Sequence, residues 1–213
     1  MKKPIVLFLL MLFAAGSYAA EENRIVKPAE KTQEDIYNAL LLLGVNAYRF
    51  DLSSFADKEY SFDVYIDEYK DGKTEEVRRF RVGSNWRDPW EEEGETERQL
   101  AFKEMTIYSV ERSDSTVIFN FDFPDMGSFS FIQKLYTVGN VKEPSYDCRT
   151  FIILPMEGEN AKIPLIFFHS YWWDDEYGGS RSCMENEINP DLSNEAISEI
   201  PHYYILGIEV SEI

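Results

Sequence analysis

The sequence predicts an α+β domain, mainly antiparallel β, arranged as a sandwich or a strongly curved sheet with one N-terminal helix packed on it. Three observations predict this class. Between Tyr60 and Val210 apolar residues recur mostly at every second position, the period of strands that bury one face. A single stretch near the start, residues 32–44, carries a helical repeat instead. The chain is also 15% aromatic, enough to fill one sizeable core without dividing into domains.

Each element follows in order. Residues 1–19 (MKKPIVLFLLMLFAAGSYA) open on Lys2 and Lys3, run apolar from Ile5 to Ala15, and end with small residues Ser17 and Ala19. That is the pattern of a secretory signal peptide, too short to span a bilayer at about 20 residues. Residues 20–31 are a polar lead-in, and 32–213 form the expected single β-rich domain. Thr32, with Asp35 three residues on, starts a helix whose Ile36, Ala39, Leu40 and Leu43 share a face, and Gly44 stops it.

Period-two alternation then takes over. Tyr60, Phe62, Val64 and Ile66 turn at Asp71-Gly72 and return over Val77–Val82 as a β-hairpin. A second hairpin joins Phe102–Arg112 to Thr116–Phe123, where Val117, Phe119, Phe121 and Phe123 fall on one face. Further strands are expected at Ser128–Val138, Arg149–Leu154, Ile163–His169 and Tyr203–Val210, with a short helix near Ser193–Glu199. Asn85–Gln99, with two tryptophans and five glutamates around a Pro and a Gly, reads as a long solvated loop.

Charge bounds the function. The chain has 21 basic and 39 acidic side chains, a net of −18, and loss of residues 1–19 would leave 19 basic ones and −20. Such a surface repels nucleic acid and anionic lipid. Outside residues 1–19 no apolar run reaches transmembrane length, and the first cysteine, Cys148, stands far beyond any lipoprotein position. The expected location is therefore the periplasm or the exterior, without a lipid anchor. Cys148 and Cys183, an even pair in an exported chain, are expected to form a disulfide.

Familiar catalytic motifs are missing. The chain has two histidines, His169 and His202, without H-x-x-x-H spacing, so each is expected to cap a strand edge rather than to hold zinc. Neither G-x-S-x-G, G-x-x-x-x-G-K nor G-x-G-x-x-G occurs. No catalytic residue is assigned, and no cofactor beyond Ca²⁺ suggests itself. Asn189–Ser193 begins like an EF-hand loop, but Asn194 and Ile200 stand where Gly and Glu are required. An irregular Ca²⁺ site would instead draw on Asp174, Asp175, Glu176 and Asp191.

The stretch HSYWWDDEYGGSRSC, His169 to Cys183, concentrates aromatics and carboxylates. Trp172, Trp173 and Tyr177, with Trp86 and Trp90 of the acidic loop, are the candidate contacts for a glycan or a basic protein partner, since ring faces stack and carboxylates accept hydrogen bonds. Tyr171 and Trp173 are expected to complete the core and Trp172 to face outward. The first functional reading is a non-catalytic binding module. A glycoside hydrolase using a carboxylate pair from Glu91, Glu92, Asp174, Asp175 or Glu176 is the alternative, because that chemistry needs two carboxyls flanking a stacked sugar. A structural subunit of an envelope assembly is the third, and an unpaired strand edge or an exposed apolar patch would mark it.

The MKK-type leader, acidic mature chain, early helix and hairpins such as EYSFDVYIDEYKDGKTEEVRRFRV resemble the small exported proteins of uncharacterised families found in gut-dwelling Gram-negative anaerobes. The resemblance is one of style over the whole chain; it implies export and transfers no functional residue.

Overall fold

The computed structural model describes residues 32–70, 72–88, 98–112, 115–137, 144–156 and 158–213. Residues 37–213 form one compact unit; of the other, residues 1–36, Thr32–Ile36 are described. The expected leader and lead-in, Asp71, Trp90, Glu91, Glu92 and the Asp35 side chain lie outside the described residues. Helix α1 (Gln33–Leu42) ends where the sequence predicts: Gly44 adopts φ +71°, and the Leu43 and Gly44 amides donate to the Leu40 and Leu41 carbonyls. Its leucines stay exposed, Leu42 at 89%.

Two sheets make the sandwich. The four-stranded sheet has the order β1-β6-β7-β8, formed by β1 (Val45–Asp51), β6 (Glu104–Arg112), β7 (Thr116–Phe123) and β8 (Gly127–Lys134). The six-stranded sheet has the order β13-β9-β10-β14-β2-β3. Its members are β2 (Tyr60–Lys70), β3 (Lys73–Ser84), β9 (Tyr146–Phe151), β10 (Asn160–Ser170), β13 (Glu187–Ile188) and β14 (His202–Glu212). All neighbours run antiparallel except β13 beside β9. Two small ribbons flank the sheets: β4 (Trp86–Arg87) with β5 (Gln99–Leu100), and β11 (Trp172–Asp174) with β12 (Gly179–Arg181). The expected hairpins all form. The helix expected at Ser193–Glu199 is a 3-10 turn at Glu195–Glu199, and β1 is a strand that the alternation count did not assign.

Alternation explains where the cores sit. On β7, Val117, Phe119, Phe121 and Phe123 are all fully buried, while Ile118, Asn120 and Asp122 face away. They meet Phe62, Val64 and Ile66 of β2, Phe168 of β10 and Tyr204, Leu206 and Ile208 of β14 between the sheets. Phe119 packs edge-on to Phe168 at 5.2 Å and to Tyr204 at 5.6 Å, contacts each worth about 0.5–1.5 kcal/mol beyond area burial.

The opposite face of the six-stranded sheet is also dry. Tyr65, Phe151, Phe167, Tyr203 and Ile205 point away from the sandwich core and are covered by Trp172, Cys183, Ile188, Ile197 and Ile200. The excursion 171–200 is thus a lid over a second core, and β10 and β14 are buried on both faces.

This placement overturns the expected disulfide. Cys148 and Cys183 are both buried free thiols, Cys148 in the core between the sheets and Cys183 in the outer core, with the six-stranded sheet between them. Neighbouring residues of a strand point to opposite faces, so Cys148 turns inward and Arg149 outward. Arg149 ties down the lid instead: its guanidinium donates to the carbonyls of Cys183 at 3.2 Å and Glu185 at 2.8 Å, and pairs with Asp147 at 2.7 Å. Nor do the histidines cap strand edges. His169 and His202 are both buried, the first on the outer core and the second beside Tyr146.

Candidate functional site

A length mismatch opens the main concavity. β9 has six residues and β10 eleven, and they pair only over Ile166–Ser170 of β10, so Asn160–Leu165 runs on without β9 beside it. The β10 backbone is irregular there, bulging between Pro164 and Ile166 against β14. Across the gap β1 ends at Asp51, Leu52 donates its amide to Lys103, and a 3-10 turn follows at Ser53–Phe55. The result is a crevice of about 700 Å³, within the 300–1,000 Å³ usual for ligand sites.

Its floor is Ile163, Leu165 and Ile208; Phe50, Leu52 and Phe55 form one wall, and Leu154, Pro155 and Met156 the other. The polar groups lie with Arg49, Asp51, Ser54 and Asp57. Arg49 is engaged by Glu104. The Ser53 hydroxyl and amide hold the Asp51 carboxyl below the usual carboxylate range, so it is anionic at neutral pH. Among described carboxyls with a resolved shift, Glu111 alone is raised, by burial and then by Asp147, and it does not line this crevice.

The turn after β10 places the aromatic residues differently from the alternation rule. Tyr171 extends the β9 register by one hydrogen bond, its amide donating to the Ser145 carbonyl, and the chain turns off the sheet after it. Trp172 therefore turns into the outer core, 8% exposed, with the Arg181 guanidinium 5.9 Å from its ring, and Trp173 faces solvent. This reverses the expected orientation of the two tryptophans. Tyr177, at the hairpin tip, is 77% exposed. Trp86 is half-buried in the β4–β5 ribbon, its indole donating to the Lys58 carbonyl at 3.0 Å.

The proposed calcium ligands do not converge. Asp174 closes the hairpin, one oxygen on Arg181 at 2.6 Å and the other accepting the Tyr177 amide at 2.9 Å, and Arg181 holds its carboxyl below the usual range. Asp175 and Glu176 are exposed in the turn. Asp191 accepts the Ser193 amide at 3.0 Å, and Asn189 bonds to Ser193 and Asn194, so the EF-hand-like segment is closed on itself. Among the described residues no group of three or more His, Cys, Asp or Glu is arranged to hold a metal ion.

The crevice was not anticipated, and neither was the polar chain at the other end of β14. There Tyr136 donates its amide to the Tyr146 hydroxyl (3.1 Å), which bonds His202 Nδ1 (2.8 Å), while His202 Nε2 reaches Glu68 (2.9 Å). The chain is complete with Nε2 donating to the carboxylate and Nδ1 accepting the hydroxyl. The Tyr48 and Phe50 alternation was the one available signal for β1, and hence for a wall of the crevice.

No curated protein and no solved structure matches the chain. A family model described as a domain of unknown function, DUF5041, matches residues 15–212, nearly the full length, and the chain therefore belongs to the DUF5041 family.

Proposed function

We propose that the chain is an exported, non-catalytic binding module and that the crevice between β1 and β10 is its binding site. The observation that carries this is a preformed, largely apolar space of about 700 Å³ with anionic groups at its rim, which suits an apolar or amphipathic ligand. Export rests on the pattern of residues 1–19. The neutral fluorescent probe N-phenyl-1-naphthylamine tests the site: its emission rises on binding, and Met156→Trp, which adds bulk to the loop wall, abolishes the rise at unchanged thermal stability. Equal binding by both proteins, or none by either, would remove the crevice from consideration.

A second reading is favoured by the hairpin. Trp173 and Tyr177 are exposed rings of the His169–Cys183 stretch, and Asp174 fixes the turn between them, which suits stacking on a sugar. Quenching of tryptophan emission by soluble oligosaccharides, lost in Trp173→Ala, is the expected result for a glycan surface.

A further inference from the structure

We infer that the crevice and the outer edge of β1 together receive an extended peptide segment, apolar and basic at alternate positions, added as a fifth strand to the four-stranded sheet. This rests on the binding reading above and names its partner class.

Backbone register comes first. Glu111 donates its amide to the Gly44 carbonyl and Leu52 donates to Lys103, which fixes the hydrogen-bonded pairs between β1 and β6 at both ends. With one register throughout, Asn46, Tyr48 and Phe50 bond to β6, and the N–H and C=O groups of Val45, Ala47, Arg49 and Asp51 point away from it. Among the described residues no backbone partner meets them. Such a row is a template for strand addition.

The other edges differ. β3, at one edge of the six-stranded sheet, carries Lys73, Glu75, Glu76, Arg78, Arg79 and Arg81, charges that discourage pairing. β13, at the opposite edge, has only two residues. β8, the other edge of the four-stranded sheet, places the Phe129 ring 4.3 Å from Phe80 of β3. β1 is the edge along which an apolar crevice runs, and Ile152, Ile153 and Leu154 on the loop opposite are exposed.

Side-chain chemistry sets the pattern of the guest. On β1 the even positions face the sandwich core, where Tyr48 and Phe50 pack, and the odd positions Arg49 and Asp51 face solvent. An added strand would present alternate side chains to the same two faces. Its inward residues would enter the space beside Phe50, Ile163 and Met156 and must be apolar. Its outward residues would stand beside Asp51, which lies directly opposite Glu104 in the register; the Arg49 guanidinium is engaged by Glu104, and Asp51 accepts the Ser53 amide. Like charges facing each other across a strand pair are unfavourable, and a basic guest residue relieves them. Asp57 at the same rim adds to the attraction.

The test uses the acetylated, amidated peptide Lys-Val-Lys-Val-Lys-Val-Lys and its counterpart with alternate backbone amides N-methylated, titrated calorimetrically into residues 20–213 at physiological salt. The two peptides have the same charge and side chains, so strand addition predicts that methylation weakens binding by about tenfold or more, and charge attraction alone predicts no difference. Ala47→Pro blocks one outward amide without touching the β6 ladder, and it is expected to lose the peptide while still binding N-phenyl-1-naphthylamine. Asp51→Asn is expected to weaken the charged peptide. Equal binding of both peptides, or peptide binding unaffected by Ala47→Pro, overturns strand addition. Failure of the peptide alone would leave the crevice reading standing, and failure of the neutral probe alone would remove that reading and leave the edge.

Discussion

The Asn85 side chain closes the turn before β2 from inside. Only 2% exposed, it accepts the Tyr60 amide at 2.8 Å and donates to the carbonyls of Phe55 at 2.7 Å and Lys58 at 3.2 Å. Asn85→Asp keeps the shape, removes both donors and sets an oxygen against two carbonyls. Buried groups left unpaired cost about 1–3 kcal/mol each, so a loss of about 2–4 kcal/mol is expected in urea denaturation at neutral pH, with partial recovery on acidification as the carboxyl regains a proton. His169 makes the complementary case. Its Nδ1 lies 3.1 Å from the Ser170 carbonyl, its buried Nε2 meets no hydrogen-bond partner among the described residues, and burial lowers its pKa below the ordinary 6.5. A depressed histidine contributes stability that is fully present above about pH 6.5 and lost as pH falls below it, because the unfolded chain takes up the proton first. His169→Phe is expected to flatten the fall in unfolding free energy between about pH 6.5 and 5 relative to the parent protein; an unchanged slope would contradict the assignment. Neither residue announced its role in the sequence, because burial of a polar group depends on what folds over it. The same applies to Trp172 and Trp173: the chain turns off the sheet after Tyr171, and alternation along β10 does not carry across that turn.

At the level of elements, strands buried on one or both faces were legible because their side chains must alternate or run continuously apolar, as β7 and β10 do. The crevice was not, because it arises from the unequal lengths of β9 and β10, and pairing length is decided between strands rather than within one. β1 is intermediate: Tyr48 and Phe50 alternate with Ala47 and Arg49, but the repeat is short and follows directly on a helix. Counting cysteines gave an even pair and an expected bond, whereas strand geometry puts one thiol on each side of a sheet. Burial pushes Cys148 up to about 12, with Ser109 and Tyr48 hydrogen bonds partly opposing it, and burial also raises Cys183. Both thiols should therefore be silent to a disulfide reagent in the native protein and both should titrate after unfolding without reductant. A protein that yields no thiol when unfolded would restore the disulfide.

Across the whole molecule the six-stranded sheet is the common wall of two cores, and the sandwich, the lid and the crevice all take their positions from it. The sheet's interior is built from strands far apart in sequence: β14 pairs with β2 over Tyr60–Lys70 and with β10 over Asn160–His169. A chain ending after Pro201 lacks the strand that joins these two, and it is expected to show no cooperative unfolding transition by circular dichroism. The order of synthesis gives this arrangement a further consequence. β14 comes last of the strands in the chain yet lies between β10 and β2. A nascent polypeptide cannot close either core until residues 202–212 have left the ribosome, because both cores are walled by the strand they form. Until then its apolar strands are open to a chaperone.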